Sequence, residues 1–203
     1  MGAAQRIEFP ASRARVFRVR LLPRSALFIA WCCASPGASA QVGPGPAVPE
    51  RTVKAAFLYK FAGYVQWPDA PDGAAGAPLS IGVLGADDFA RELAAVTSGR
   101  TVVDRPITVR RLAPGDLLDD LHILFVGQDE DDRLRDSLAA ARGRPILIVT
   151  ESEGALDDGS MINFAVDRQR VRFDVSLSSA ERNGLRLNSR LLAVARRVYR
   201  EPE

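Results

Sequence analysis

The sequence predicts an α/β protein: a single domain with a mixed, largely parallel sheet, helices on both faces, and a C-terminal β-hairpin followed by a helix. Three observations lead there. Between residues 53 and 150, short apolar runs alternate with stretches whose apolar residues recur at helical spacing. Two of the runs, 121–126 and 146–150, are apolar throughout, as central strands covered on both faces are. The alternation then stops: residues 161–166 and 170–175 are two strand patterns with only Asp167, Arg168 and Gln169 between them, which reads as a hairpin.

Taken in order, residues 41–50 are rich in Gly and Pro, lack periodicity and read as a flexible lead-in to a domain spanning 51–200. Val53, Phe57, Phe61, Tyr64 and Val65 recur at helical spacing, predicting an amphipathic helix that stops at Trp67 and Pro68. A loop follows, then a short buried strand over 79–84 closed by Gly85. Asp87 and Asp88 open a helix with Phe89, Leu93 and Val96 on its apolar face. Residues 107–112 alternate as a strand, and 114–120 form a polar turn or a single helical turn. Residues 129–141 return to helix, acidic at the start, with Leu134, Leu138 and Ala141 on one side. After the hairpin, 178–183 form a helix ended by Gly184. Ser189 caps a last helix that turns Leu191, Leu192, Ala195 and Val198 inward and Arg190, Arg196 and Arg197 outward.

The first 40 residues read as a cleaved export signal. Five arginines between positions 13 and 24 precede an apolar stretch through Ala34, and Ala38, Ser39 and Ala40 make a small-x-small cleavage site. The apolar stretch is about ten residues, half of the roughly 20 that a spanning helix needs. Trp31 is too bulky for the position before an acylated cysteine, which argues against a lipoprotein. Without the leader, 21 basic residues stand against 24 acidic ones, a formal net of −3. The basic excess belongs to the signal, so a nucleic-acid partner loses its compositional support. Cys32 and Cys33 leave with the leader, which excludes thiol catalysis, disulfides and thiol redox sensing in the mature chain.

Catalytic patterns are poor. The single histidine, His122, lies within an apolar strand run, where a packed imidazole is expected and not a general base reaching a cleft. No Gly-x-Ser-x-Gly elbow exists. Gly82 and Gly85 precede a helix in the manner of a phosphate loop, but Asp87 and Asp88 occupy the positive end where an anion would sit. Residues 129–132 are all acidic; on a helix they point about 100° apart and cannot converge on one cation. No metal and no cofactor is expected.

Three dense motifs carry more. One runs from Lys54 through Phe57, Tyr59 and Phe61 to Trp67 and Pro68. A second is Gly159, Ser160, Met161, Ile162, Asn163, Phe164. The third is Arg170, Val171, Arg172, Phe173, Asp174, Val175, followed by Ala180, Gly184, Leu185, Asn188, Ser189, Arg190, Leu191 and Leu192. Together they resemble the YfiR-like family of periplasmic proteins, whose pattern is K-A-x-F-[LI]-Y-x-F-x-x-[YF]-x-x-W-P, then G-x-M-I-x-F, then R-x-x-F-[DE]-[IV] before A-x-x-x-G-L-x-[IL]-x-S-[KR]-L-L. The likeness covers nearly the whole mature chain. It implies a non-enzymatic regulator, often dimeric, that holds an inner-membrane diguanylate cyclase of the YfiN type inactive through the cyclase's periplasmic sensor portion, lowering cyclic di-GMP and biofilm formation. The chain departs from the best-known members in having no cysteine in the domain, so control through disulfides does not carry over. A second reading stays open: a periplasmic small-molecule binding module serving a transporter or sensor kinase, with its ligand in a crevice at the strand ends.

Five residues are the candidates for a partner or ligand surface. Lys60 and Trp67 place a cation beside an aromatic near the end of the first helix. Arg172 and Asp174, with Arg170, share one face of the second hairpin strand by its two-residue period, and Arg190 follows them in the same motif. The competing reading of that row is a solvated sheet face with cross-strand ion pairs.

Overall fold

The computed structural model describes residues 48–68 and 76–200. The expected leader and most of the lead-in, like part of the loop before residue 79, lie outside the described residues. Elements follow in the order α1 (Glu50–Phe61), β1 (Val65–Gln66), β2 (Leu79–Leu84), α2 (Asp87–Thr97), β3 (Thr101–Val102), β4 (Arg105–Leu112), β5 (Ile123–Val126), a 3-10 helix (Gln128–Arg133), α3 (Leu134–Ala141), β6 (Leu147–Thr150), β7 (Ile162–Asp167), β8 (Arg170–Ser176), α4 (Leu177–Arg182), β9 (Arg186–Leu187), α5 (Ser189–Val194) and β10 (Arg197–Tyr199).

Eight strands form one sheet in the order β10-β8-β7-β6-β5-β2-β4-β3, and β1 pairs with β9 in a separate ribbon. The stretch β4-β2-β5-β6-β7 is parallel throughout. Its connections leave β2 in opposite directions, the doubly wound arrangement. The antiparallel hairpin β7-β8 and the parallel edge strand β10 extend it on one side, and the short antiparallel β3 closes the other. The predicted α/β class, the parallel centre and the hairpin are all present.

The sequence explains the central strands directly. Ile123, Leu124, Phe125 and Val126 of β5 are buried in succession, as are Leu147, Ile148, Val149 and Thr150 of β6. β4 alternates between half-buried and exposed positions up to Arg110, as an outer strand with one wet face does. The hairpin turn is tighter than expected, with only Arg168 and Gln169 in it. Both take positive φ, 47° and 61°, the type I′ pair whose twist suits flanking strands. Val103 and Asp104 do the same between β3 and β4, a hairpin that the polar-apolar pattern of residues 101–106 conceals.

Three expectations need correction. The first helix ends at Phe61, and Val65 belongs to β1, paired with Leu187. Its buried stripe is Lys54, Ala55, Leu58 and Phe61, so a lysine stands inside the helix's core face. The acidic stretch after β5 begins as a 3-10 helix, kinked at Glu130, before α3 starts at Leu134. The last helix is capped by Asn188, which accepts from the Arg190 N–H, and stops at Val194. The chain then enters β10, where Val198 is partly exposed and not buried as the helical reading required. Pairing with β8 outweighs the helical pattern there, because β8 otherwise presents an open row of backbone donors and acceptors.

Candidate functional site

The phenylalanines of the three motifs meet in one cluster, although those of the first motif are over 100 residues from the others in the chain. Phe57 and Phe61 on α1 pack against Phe164 on β7 and Phe173 on β8, with ring centroids 4.9 Å apart for Phe61 and Phe173 and 5.5 Å for Phe57 and Phe173. Phe61 stacks on Phe164 at 5.8 Å. Edge and offset contacts of this kind add to the burial of the rings themselves. These motif positions therefore build the fold, and a functional surface has to be sought among the polar residues around them.

One polar centre lies at the carboxyl ends of the parallel strands. α1 carries Lys54 there, and its ammonium reaches Glu151 at 2.6 Å, just past β6, and Glu50 at 2.5 Å one helical turn back. Burial lowers the lysine pKa, but the hydrogen bonds that it donates to Glu151 and Glu50 outweigh this and leave the group above its usual value, firmly charged. Beside it, the Thr150 hydroxyl lies 2.9 Å from Ser160 Oγ and 2.8 Å from Asn163 Oδ1, and the Asn163 amide donates to the Ser152 carbonyl at 2.9 Å. This network holds the loop 151–161 as it returns to β7 and leaves the motif polar groups satisfied.

A second centre lies at the opposite, amino end. Trp67 Nε1 donates to the His122 carbonyl at 3.2 Å, and the two rings meet edge to face at 5.7 Å. Arg105 Nη2 approaches His122 Nε2 at 2.8 Å. A guanidinium has no acceptor, so Nε2 accepts from Arg105, and the Ser80 N–H of β2 points at Nδ1 from 3.3 Å. Burial lowers the His122 pKa, and the Arg105 charge lowers it further. The imidazole is thus a neutral structural bridge between Trp67, β2 and β4, with its basic nitrogen occupied.

The third region is the hairpin edge. Asp174 is buried, with a side chain only 8% exposed, and takes Arg196 in a bidentate pair at 2.8 and 2.6 Å. That pairing raises the arginine pKa and clamps the entry to β10. Arg172 and Arg190 are exposed, as is Lys60 near the end of α1. The five candidates do not form one site. His122, which Trp67 contacts, is level with Ile146, whereas Arg172 lies opposite Ala165, two residues beyond the level of Thr150. Six strand residues separate the two levels, about 20 Å at the rise of a strand.

The crevice where doubly wound sheets take ligands lies beside β2 and β5, and here the chain fills it. Gly85 and Gly127 end those strands; a Cβ on Gly127 would lie 2.3 Å from the Gly85 carbonyl oxygen, and one on Gly85 would lie 2.4 Å from Glu130 Cγ. The Gly127 N–H donates to the Leu84 carbonyl at 2.8 Å. The two glycine turns are thus packed against each other and against Glu130. Among the described residues no group of three or more His, Cys, Asp or Glu side chains is placed to hold a metal ion. None of their helices is long and apolar enough to cross a membrane.

A family model described as YfiR/HmsC-like matches residues 51–196. The chain belongs to the YfiR/HmsC-like family. Its proteins are periplasmic, and the family is one of regulators of diguanylate cyclase signalling. For a YfiR/HmsC-like domain the sequence left three partners unread: Lys54 for Glu151, Arg105 for His122, and Arg196 for Asp174. Only the first had a local signal, since Lys54 falls in register with Leu58 and Phe61 and follows Glu50 by four residues. The other two join a strand residue to one just ahead of another strand, Arg105 of β4 to His122 before β5 and Asp174 of β8 to Arg196 before β10, and no local pattern reveals these pairings.

Proposed function

We propose that this chain is an exported periplasmic regulator that binds the periplasmic sensor portion of an inner-membrane diguanylate cyclase of the YfiN type and holds it inactive, lowering cyclic di-GMP and biofilm formation. The observation that carries the reading is the family match, which spans residues 51–196. Two features of the site support it. The only histidine is engaged on both its ring and its carbonyl, and the usual ligand crevice is closed by Gly85, Gly127 and Glu130. A regulator that acts by contact needs neither a base nor a cleft.

On this reading Arg172, Arg190 and Lys60 are the exposed groups that meet partners, while Trp67 and Asp174 hold the surfaces in place through His122 and Arg196. Deleting the gene raises cellular cyclic di-GMP, and restoring it reverses the rise. The double variant Lys60→Ala, Arg172→Ala keeps the wild-type melting temperature and loses repression. Unchanged cyclic di-GMP on deletion, with the protein confirmed in the periplasm, sinks the regulatory reading; full repression by the folded double variant sinks the surface assignment alone.

A further inference from the structure

Charge is divided unevenly along the domain. Residues 167–200 carry nine Arg against Asp167, Asp174 and Glu181, a formal +6, whereas residues 51–166 carry 12 basic and 18 acidic residues, a formal −6. The basic segment builds the β8-β10 edge of the sheet. Arg168 and Arg170 at the hairpin, Arg172 on β8, and Arg197 and Arg200 on and beyond β10 are exposed, and none of these five is ion-paired among the described residues.

The same edge has an open backbone. Among the described residues β10 is the last strand of the sheet and pairs with β8 alone. Ser176 N–H donates to the Met161 carbonyl, so the backbone groups of Asp174 and Ser176 face β7 and those of Phe173 and Val175 face β10. With Arg197 opposite Asp174 and Tyr199 opposite Ser176, the ladder to β8 falls to Arg197 and Tyr199, and Val198 turns its N–H and C=O to the open side. Val194, Val198 and Tyr199 are among the large apolar side chains left exposed.

We propose that this edge receives an extended acidic segment of a partner protein, which adds to β10 as a further strand and lays its carboxylates against Arg172 and Arg197, which share one face of the sheet. Open edges are commonly guarded by like charge, and here five arginines repel a second copy of the same edge. An acidic strand cancels that repulsion, so the guard acts as a selector. A second copy cannot supply the strand from its own densest acidic run either, because residues 129–132 lie in the 3-10 helix. The inference rests on the reading of this surface as a partner-binding one, but not on which protein is the partner.

The test uses the purified chain and a fluorescent peptide of alternating Glu and Val, with an alternating Lys and Val peptide as control, read by anisotropy at low and high salt. The acidic peptide binds, the basic one does not, and salt weakens the binding. Val198→Pro removes the outward N–H without touching the ladder to β8, and weakens binding about tenfold at an unchanged melting temperature. Arg172→Glu with Arg197→Glu abolishes binding. Absence of binding by the acidic peptide, or affinity unmoved by both variants, overturns the proposal. Equal binding of phosphatidylglycerol vesicles by wild type and Val198→Pro, or self-association that Val198→Pro abolishes, overturns it in favour of a membrane or a second copy. Failure here with cyclic di-GMP control intact leaves the regulatory reading standing.

Discussion

Replacing Lys54 with Met keeps the buried stem and removes the charge that two carboxylates share. The lysine side chain is 11% exposed, Glu151 is 17% exposed and Glu50 is 50% exposed. The Glu50 contact is therefore close to a surface pair, worth about 0–1 kcal/mol. Glu151 is different: without the ammonium it stays largely buried and unpaired, and breaking a buried pair in this way costs about 3–5 kcal/mol. Partial exposure puts the expected loss near the lower figure, about 3 kcal/mol. For a domain of this size that is a fall of about 6–12 °C in Tm. Adding Glu151→Gln removes the orphaned charge, so the double variant recovers most of the loss and the two changes couple by at least about 1.5 kcal/mol. Urea and thermal unfolding of wild type, both single variants and the double variant measure this. A single Lys54→Met loss below about 0.5 kcal/mol, or a double variant as unstable as the sum of the singles, would refute the argument that the pair is buried.

Phe173→Ala empties the centre of the aromatic cluster and lowers unfolding free energy by about 3–5 kcal/mol, read from urea denaturation. Gly127→Ala forces a methyl against the Gly85 carbonyl oxygen and the Ala86 Cβ, 2.3 and 2.6 Å away, and costs about 2 kcal/mol as a lower urea midpoint with unchanged slope. The folded His122 pKa lies below its unfolded value of 6.5, so the unfolded chain takes up the proton first. Stability tied to the neutral ring is complete above pH 6.5 and is lost as pH falls below it toward the folded pKa. His122→Gln flattens that part of the stability-pH curve relative to wild type; parallel curves for the two proteins would contradict the neutral bridge.

Much of the architecture was legible because burial and period speak locally. Runs such as 123–126 and 147–150 need both faces covered, which already implies a parallel centre between helical layers. The hairpin was legible because its strands are adjacent in sequence. β1, β9 and β3 were not, being two residues each and supported only by their partners. β10 was hidden by residues that suit a helix as well as a strand, and the open side of β8 decided between them. Of the candidate site, Arg172, Arg190 and Lys60 are exposed as a contact surface requires. The places of Trp67 and Asp174 depended on His122 and Arg196, 55 and 22 residues away.

By itself, the sequence determined the α/β class, the central strands, the hairpin and, through its three motifs, the family, because hydrophobic period and motif order are properties of the chain read in one dimension. Only the tertiary structure decided that Lys54 is a buried cation, that His122 is a spent base and that the arginines of residues 167–200 share a sheet edge. Each of those depends on which residues of distant segments the sheet brings side by side, since a hydrogen bond forms only within about 3 Å and burial is set by the surrounding elements.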